Sequence, residues 1–211
     1  MKVKRLIPAI LPIFFVALLL SAGTFAYFTD AERSTGNTFA AGTLDLKIGD
    51  WNEDFKDGVT ATWTLSNMKP GDTIGPYSVL LRNFGSIEAD HVEIKCTNTV
   101  TDSPGPESDT EEGTTDMDKA MEITILAYDE NNLLYVLPDL NGNGIKDLND
   151  FENFNGGQGF DHITPVPAAN QGTTRTFTMA LRFHPTLADN DYQGDILTVT
   201  ITFTLNQHSS Q

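Results

Sequence analysis

The chain has 211 residues, of which 39% are hydrophobic, and this suits one medium-sized domain with a single core rather than an integral membrane protein. All 29 acidic residues follow residue 27, together with ten of the 13 basic residues, which leaves that part of the chain with a formal charge of −19. Such a surface repels phosphate backbones, so we expect no nucleic acid partner and expect divalent cations instead.

The first 26 residues have the organisation of a secretory signal peptide. A basic start precedes an apolar helical stretch over residues 6–20, and small residues follow. We expect a signal peptidase to cut after Ala26 and the protein to be extracellular, with membrane contact only before cleavage. Retention as an anchor is the alternative, because the apolar stretch approaches the ~20 residues that a bilayer crossing needs.

Alternating apolar and polar residues predict half-buried antiparallel strands after the signal. The predicted strands are residues 43–48, 60–65, 77–83, 89–97, 121–128, 133–137, 176–183 and 198–205. The sequence DENN at residues 129–132 predicts a hairpin tip, and no segment has a convincing amphipathic helix pattern. The fold class is therefore predicted as all-β, an antiparallel β-sandwich of the jelly-roll type over residues 43–207, with a tail at 208–211.

Two stretches of this domain do not have a strand pattern. Residues 101–119 are interrupted by proline and contain seven acids, which predicts a solvated loop. Residues 139–173 are rich in Asn and Gly and are long for a connection without structure of its own. We therefore expect something to organise this second insertion.

Residues 139–150, DLNGNGIKDLND, have the spacing of a calcium-binding loop. Oxygen-bearing side chains stand at loop positions 1, 3, 5, 9 and 12, and Gly144 at position 6 permits a sharp turn. The expected ligands are Asp139, Asn141, Asn143, the carbonyl of Ile145, Asp147 and Asp150. The loop resembles the dockerin type, which ends in Asp, and its three carboxylates predict weaker binding than in acid-richer loops. We expect Ca²⁺ in a structural role; a turn that binds no metal is the alternative.

Residue types that support catalysis are present without the spacing that catalysis needs. The four histidines, His91, His162, His184 and His208, form no HExxH motif or other zinc-binding pair, and the chain has no GxSxG sequence. Ordinary surface or strand-edge histidines are therefore expected, and no enzymatic activity. The single cysteine, Cys96, shares a predicted strand face with apolar residues, which predicts a buried thiol.

Three segments of the chain form a recognisable combination: GTFAYFTDAERSTGNTFAAGTLDL at residues 23–46, LSNMKPGDTIGPYSVLLRNFGSIEADHVEI at 65–94 and DYQGDILTVTITFTLNQ at 191–207. Together they resemble the family of the biofilm fibre protein TasA, camelysin and the archaeal bundling pilins. The first is similar to the family's junction between signal and mature chain, the second to a strand, KPGD turn and strand, and the third to the closing strand. The acidic loop and the calcium-type loop lie in the middle, where the family pattern gives no guide.

The resemblance implies an exported jelly-roll protein that assembles into extracellular fibres or pili in a biofilm matrix or between bundled cells. In such fibres the N-terminal segment, here residues 27–42, enters the sheet of the next subunit by donor-strand complementation. The expected donor residues are Phe28, Thr29, Asp30, Ala31, Thr38, Phe39, Ala40 and Ala41. Because each subunit would donate one strand and receive one, the contact does not close and grows a head-to-tail homopolymer.

Three alternatives remain open at this point. The segment 28–41 could fold back on its own domain or stay disordered. The protein could be a calcium-dependent surface adhesion module that acts as a monomer. It could also be a secreted metallopeptidase, as the name camelysin suggests, although the histidine spacing is against this.

Overall fold

The computed structural model describes residues 42–50, 52, 54–57, 60–101, 116–188, 192 and 194–208. The expected signal peptide at 1–26, the donor segment at 28–41 and most of the acidic loop lie outside the described residues, so these stay predictions. Within the described ranges, none of the helices combines the length and apolar character that a membrane crossing requires.

Ten strands of the described chain form two antiparallel sheets. Their bounds are β1 Leu46–Gly49, β2 Lys56–Asp57, β3 Thr60–Leu65, β4 Thr73–Asn83, β5 His91–Thr101, β6 Met121–Tyr128, β7 Asn131–Asn132, β8 Phe160–Ile163, β9 Arg175–Phe183 and β10 Ile196–Asn206. Sheet A has the order β2-β1-β4-β9-β6-β7, and sheet B has the order β3-β10-β5-β8. The predicted all-β class with antiparallel sheets is confirmed.

The core consists of the apolar side chains that alternate along the strands of both sheets. In β10, Val199, Ile201 and Phe203 are fully buried while the threonines between them are partly exposed. Phe203 meets Phe177 of β9 edge to face, with 5.2 Å between ring centroids. Cys96 is also fully buried, as predicted, and burial raises the pKa of its thiol well above the ordinary value.

One predicted strand is wrong. Residues 133–137 contain a 3-10 helix, Leu133–Tyr135, whose first turn is capped by the Asn132 side chain accepting a hydrogen bond from the N–H of Tyr135. Leu133 and Leu137 are buried, whereas Tyr135 is 86% exposed. The apolar residues thus follow a four-residue spacing rather than alternation. The hairpin predicted just before them is confirmed by the antiparallel pairing of β6 and β7.

The insertion at residues 139–173 is organised by short elements that the sequence pattern did not reveal. A helix, α1 (Leu148–Asn153), is followed by a 3-10 turn at Phe154–Gly157 and then by β8. Leu148 and Phe151 are fully buried, and α1 packs against β5. The insertion therefore covers the side of β5 that faces away from β10.

Candidate functional site

The predicted calcium loop, residues 139–150, lies between the 3-10 helix at Leu133–Tyr135 and the body of α1. It turns at Gly142 and Gly144, whose φ angles are +75° and +92°. These left-handed values are easily adopted by glycine alone among common residues. The sharp turn that calcium coordination needs is therefore present in the backbone.

Backbone N–H groups hold the first and last carboxylates of this loop. Asp139 accepts hydrogen bonds from the N–H groups of Gly142 at 2.7 Å and Gly144 at 2.9 Å. Asp150 Oδ1 accepts from the N–H groups of Leu140 at 2.8 Å and Asn141 at 3.2 Å. Both carboxylates are thus fixed in position by the loop itself.

Asp147 lies at the centre of the loop. Its Oδ2 accepts hydrogen bonds from Nδ2 of Asn141 at 2.9 Å and from Nδ2 of Asn143 at 2.7 Å. Its Oδ1 accepts from the N–H of Asp150, whose Oδ2 accepts from the N–H of Asp147, and this capping box begins α1. The side chains of the predicted ligands at positions 3, 5, 9 and 12 are therefore brought together around one buried aspartate.

The environment of Asp147 favours a positive charge nearby. Burial raises the pKa of its carboxyl to about 6, and the hydrogen bonds from Asn141, Asp150 and Asn143 partly oppose this rise. The adjacent Lys146 does not supply the charge, because its ammonium donates to the carbonyl of Leu134 at 2.7 Å. A bound cation would offset the cost of keeping Asp147 ionised.

The donor set fits a hard cation. Three carboxylates and two carboxamides are the oxygen ligands that Ca²⁺ takes from proteins, and the Ile145 carbonyl completes the predicted set. The oxygens of Asn141 and Asn143 accept bonds from the N–H groups of Asn143 and Ile145, both at 3.0 Å. To bind a cation beside Asp147, the two amides would have to turn their oxygens toward the ion. The hydrogen bonds that they donate to Asp147 would then be replaced by metal coordination.

A second feature is an open sheet edge that sequence reasoning did not identify. In the part of the chain that the structure describes, β3 is an outer strand of sheet B and pairs with β10 alone. Beside it lies a cleft of about 510 Å³ lined by residues of β1, β2, β3 and β4, and thus by both sheets. Trp63 of β3 stacks on Tyr77 of β4 across this cleft, with ring centroids 6.5 Å apart, and Tyr77 is 49% exposed.

The histidines differ from the sequence-based expectation. His91 is only 2% exposed, and it meets Asp161 and His162 of β8 in what we call the histidine cluster. The expectation that these histidines are ordinary surface or edge residues is therefore wrong for His91. The signal in the sequence was a repeated Asp-His pair, at residues 90–91 and 161–162, on two distant segments.

Comparison with protein-family models gives a match over most of the chain. Residues 3–211 match the profile of a family described as camelysin metallo-endopeptidase. No curated protein matches the chain. The match spans nearly the whole sequence, including the segments outside the described residues.

Proposed function

The chain belongs to the TasA and camelysin family, and on that premise we propose that it is a structural subunit of an extracellular fibre or pilus. Residues 28–41 of one subunit would add to the open edge of sheet B in the next, completing a jelly roll. The observation that carries this proposal is that, among the described residues, no strand pairs with the outer side of β3 beside the cleft at Trp63.

The edge at β3 is suited to receive another strand. With six residues, β3 is longer than the other outer strands of the described sheets, β2, β7 and β8. An outer strand presents backbone N–H and C=O groups on one side, and an incoming extended peptide can satisfy them by β-augmentation. Residues 28–41 would span roughly 45 Å when extended, enough to leave their own domain and cover a neighbour's edge.

The cleft supplies a place for the donor's side chains. Ala61 and Trp63 of β3 are half-buried and pack against the core, so apolar surface is only partly covered at this edge. The expected donor residues include Phe28 and Phe39 and several alanines, which are apolar or small. Burial of such side chains in the cleft would contribute about 25 cal/mol per Å² of apolar area removed from water.

Strand donation explains how export and assembly would be coupled. A contact in which each subunit gives one strand and takes another does not close, so it grows a filament. While the signal peptide is attached, it holds the donor segment at the membrane and prevents exchange. Calcium in the loop at 139–150 would stabilise the subunit by binding only the folded state.

Electron microscopy and sedimentation of two purified chains test this function. Residues 27–211 should form long regular filaments, and residues 42–211 should remain monomeric. A synthetic peptide of residues 28–41 should bind to the shortened chain one to one without making it polymerise. Filaments from residues 42–211, or monomers alone from residues 27–211, would count against the proposal.

The family description names an endopeptidase, and proteolysis is therefore the rival function to be excluded. We propose that the protein is not an enzyme, because the sequence has no HExxH motif. Incubation of residues 27–211 with unfolded casein should give no cleavage. Cleavage that a chelator abolishes would establish a peptidase, and a chain that stays monomeric with calcium but adheres to cells would support the adhesion module.

A further inference from the structure

We propose that His91, Asp161 and His162 bind a divalent transition metal of the zinc class that fastens β8 to β5. This site is separate from the calcium loop and independent of fibre formation. His91 is the first residue of β5, and the other two stand in β8. Each residue offers one ligand atom, and the three atoms lie within 4.8 Å of one another.

A β-bulge brings the two neighbouring residues of β8 to one side. Val92 pairs with Ile163 and Ile94 pairs with Phe160, so one residue of β5 stands opposite both Asp161 and His162. His162 has a φ of +57°, in the left-handed region. In a regular strand consecutive side chains point to opposite faces. Here Asp161 Oδ1 lies 3.1 Å from Nε2 of His91.

His162 completes the group from the other side. Its ring stacks on that of His91 with centroids 4.6 Å apart and 9° between the planes. Its Nδ1 lies 2.8 Å from Asp161 Oδ2, and its side chain is 56% exposed. The exposed ring can therefore shift to meet a metal without disturbing the core.

Carboxylate oxygens lie near both ring nitrogens of His91. Nδ1 lies 3.0 Å from the Asp90 carboxylate, which accepts its N–H in the tautomer that has a lone pair on Nε2. Nε2 then faces Asp161 Oδ1 at 3.1 Å and Glu93 Oε1 at 3.7 Å. Nε2 accepts a hydrogen bond from the Asn206 amide at 3.1 Å in this tautomer, and a metal ion placed between Nε2 and these carboxylate oxygens would be attracted by all three groups.

The contacts of His91 are those of a metal-binding histidine. Such a histidine commonly donates its other N–H to a carboxylate, which is the arrangement of His91 and Asp90. The neighbouring amide of Asn206 lies 3.1 Å from Nε2 and also donates to Glu93 at 2.6 Å, so it can turn toward Glu93 alone.

The ligand types select the metal. Two imidazole nitrogens and a carboxylate oxygen suit zinc, whereas calcium takes oxygen ligands alone. With zinc bonds of about 2.0 Å, ligand atoms stand roughly 3.3 Å apart; the His91–Asp161 distance of 3.1 Å already matches this. Three protein ligands would leave a fourth position for water or for Glu93, whose Oε1 lies 3.7 Å from Nε2 of His91.

The site's place in the fold points to a structural metal. β8 is an outer strand of four residues that pairs with β5 at only two positions. A metal held by both strands would fix this edge. Among the described residues, the clefts beside β3, beside Lys119 and Tyr192, and beside Asp129 and Arg175 are lined by residues outside the histidine cluster.

Titration of metal-free protein with Co²⁺ and Zn²⁺ tests the proposal. The protein, residues 27–211, is kept in millimolar Ca²⁺ so that sites made of oxygen ligands, such as the predicted calcium loop, are not available to Co²⁺ or Zn²⁺. We expect one equivalent of Co²⁺ to give visible absorption bands of a nitrogen- and oxygen-bound ion, Zn²⁺ to displace it, and the melting temperature to rise. His162→Gln, which alters an exposed ligand, should weaken binding at least about 100-fold, and Asp90→Asn about 10- to 100-fold.

His208→Gln is the matched control, since it changes a histidine outside the cluster. It should bind metal as the parent chain does. The proposal is overturned if the parent chain shows no Co²⁺ bands and no rise in melting temperature. It is equally overturned if His162→Gln binds as tightly as the parent, or if His208→Gln loses the metal.

Discussion

Glu152 of α1 accepts a hydrogen bond from the backbone N–H of Asn98 in β5, with 3.0 Å between Oε1 and N. The Asn98 side chain in turn donates a hydrogen bond to the carbonyl of Leu148 in α1, at 2.8 Å. This pair attaches α1 to β5 beyond the end of β8. Because Asp147 of the predicted calcium loop is the N-cap of α1, order in that loop is linked directly to sheet B.

Replacement of Glu152 should show how much this attachment stabilises the fold. Glu152→Ala leaves the Asn98 N–H without its acceptor and should lower the free energy of unfolding by about 1–2 kcal/mol. Glu152→Gln keeps one acceptor oxygen and should lose less. Urea denaturation of residues 27–211 measures both, with Glu130→Ala at an exposed turn as the control. Equal stability of all four chains would show that the contact contributes nothing.

Asn143→Asp should have opposite effects with and without calcium. Without calcium it should lower the melting temperature, because Nδ2 donates to the Lys119 carbonyl at 3.0 Å and to Asp147 at 2.7 Å, and a carboxylate would repel both. With calcium it adds a fourth carboxylate and should tighten binding about tenfold. Calorimetric titration and thermal melting measure the two effects.

An Asn-to-Asp change at another position, in α1, provides the control for this prediction. Asn153→Asp stands outside the predicted ligand set and should leave calcium affinity unchanged. If neither the parent chain nor Asn143→Asp binds calcium at millimolar concentration, residues 139–150 are a metal-free turn.

Asp118→Asn should stabilise the protein at neutral pH. Burial raises the pKa of Asp118 above its ordinary value, and its Oδ1 is buried without a hydrogen-bond partner among the described residues. The folded state therefore holds a proton more readily than the unfolded state. The resulting stability is complete below the unfolded pKa of 3.8 and is lost as the pH rises through the folded pKa.

The side chain of Asn does not titrate in this pH range, so Asp118→Asn removes this pH dependence. We expect a gain of about 1 kcal/mol in the free energy of unfolding at pH 7 and little gain at pH 3.5. Denaturation at the two pH values measures the difference. Asp116→Asn, at a half-exposed position nearby, should change stability by less than about 0.5 kcal/mol. A loss of stability at pH 7 for Asp118→Asn would contradict the argument.

Ala61→Lys should prevent filament growth while leaving the subunit folded. Ala61 lines the cleft at β3, and a lysine there would occupy the space that the donor's apolar side chains need. Thr64→Lys adds the same charge to the exposed face of the same strand and should still polymerise. Filament length by electron microscopy and subunit melting distinguish the two. Filaments of normal length from Ala61→Lys would place the donor strand elsewhere.

The sequence by itself determined the features that depend on close neighbours in the chain. The alternation of Val199, Ile201 and Phe203 with threonines predicted a strand with one buried face, because side chains of a strand point to opposite faces in turn. The calcium loop was predicted in the same way, since all its expected ligands lie within residues 139–150. Of these, Asn141, Asn143 and Asp150 contact Asp147, and calcium binding stays a proposal.

Only the tertiary structure decided the features that depend on distant segments. His91 meets Asp161 and His162 because β5 pairs with β8, and Glu152 meets Asn98 because α1 packs on β5. Periodicity also could not separate the 3-10 helix at Leu133–Tyr135 from a strand, because a run of five apolar residues is compatible with both. The hydrogen bond from the N–H of Tyr135 to the Asn132 side chain favours the helical turn. Local spacing sets which face of an element is apolar, whereas the pairing of strands sets which polar groups on different elements become neighbours.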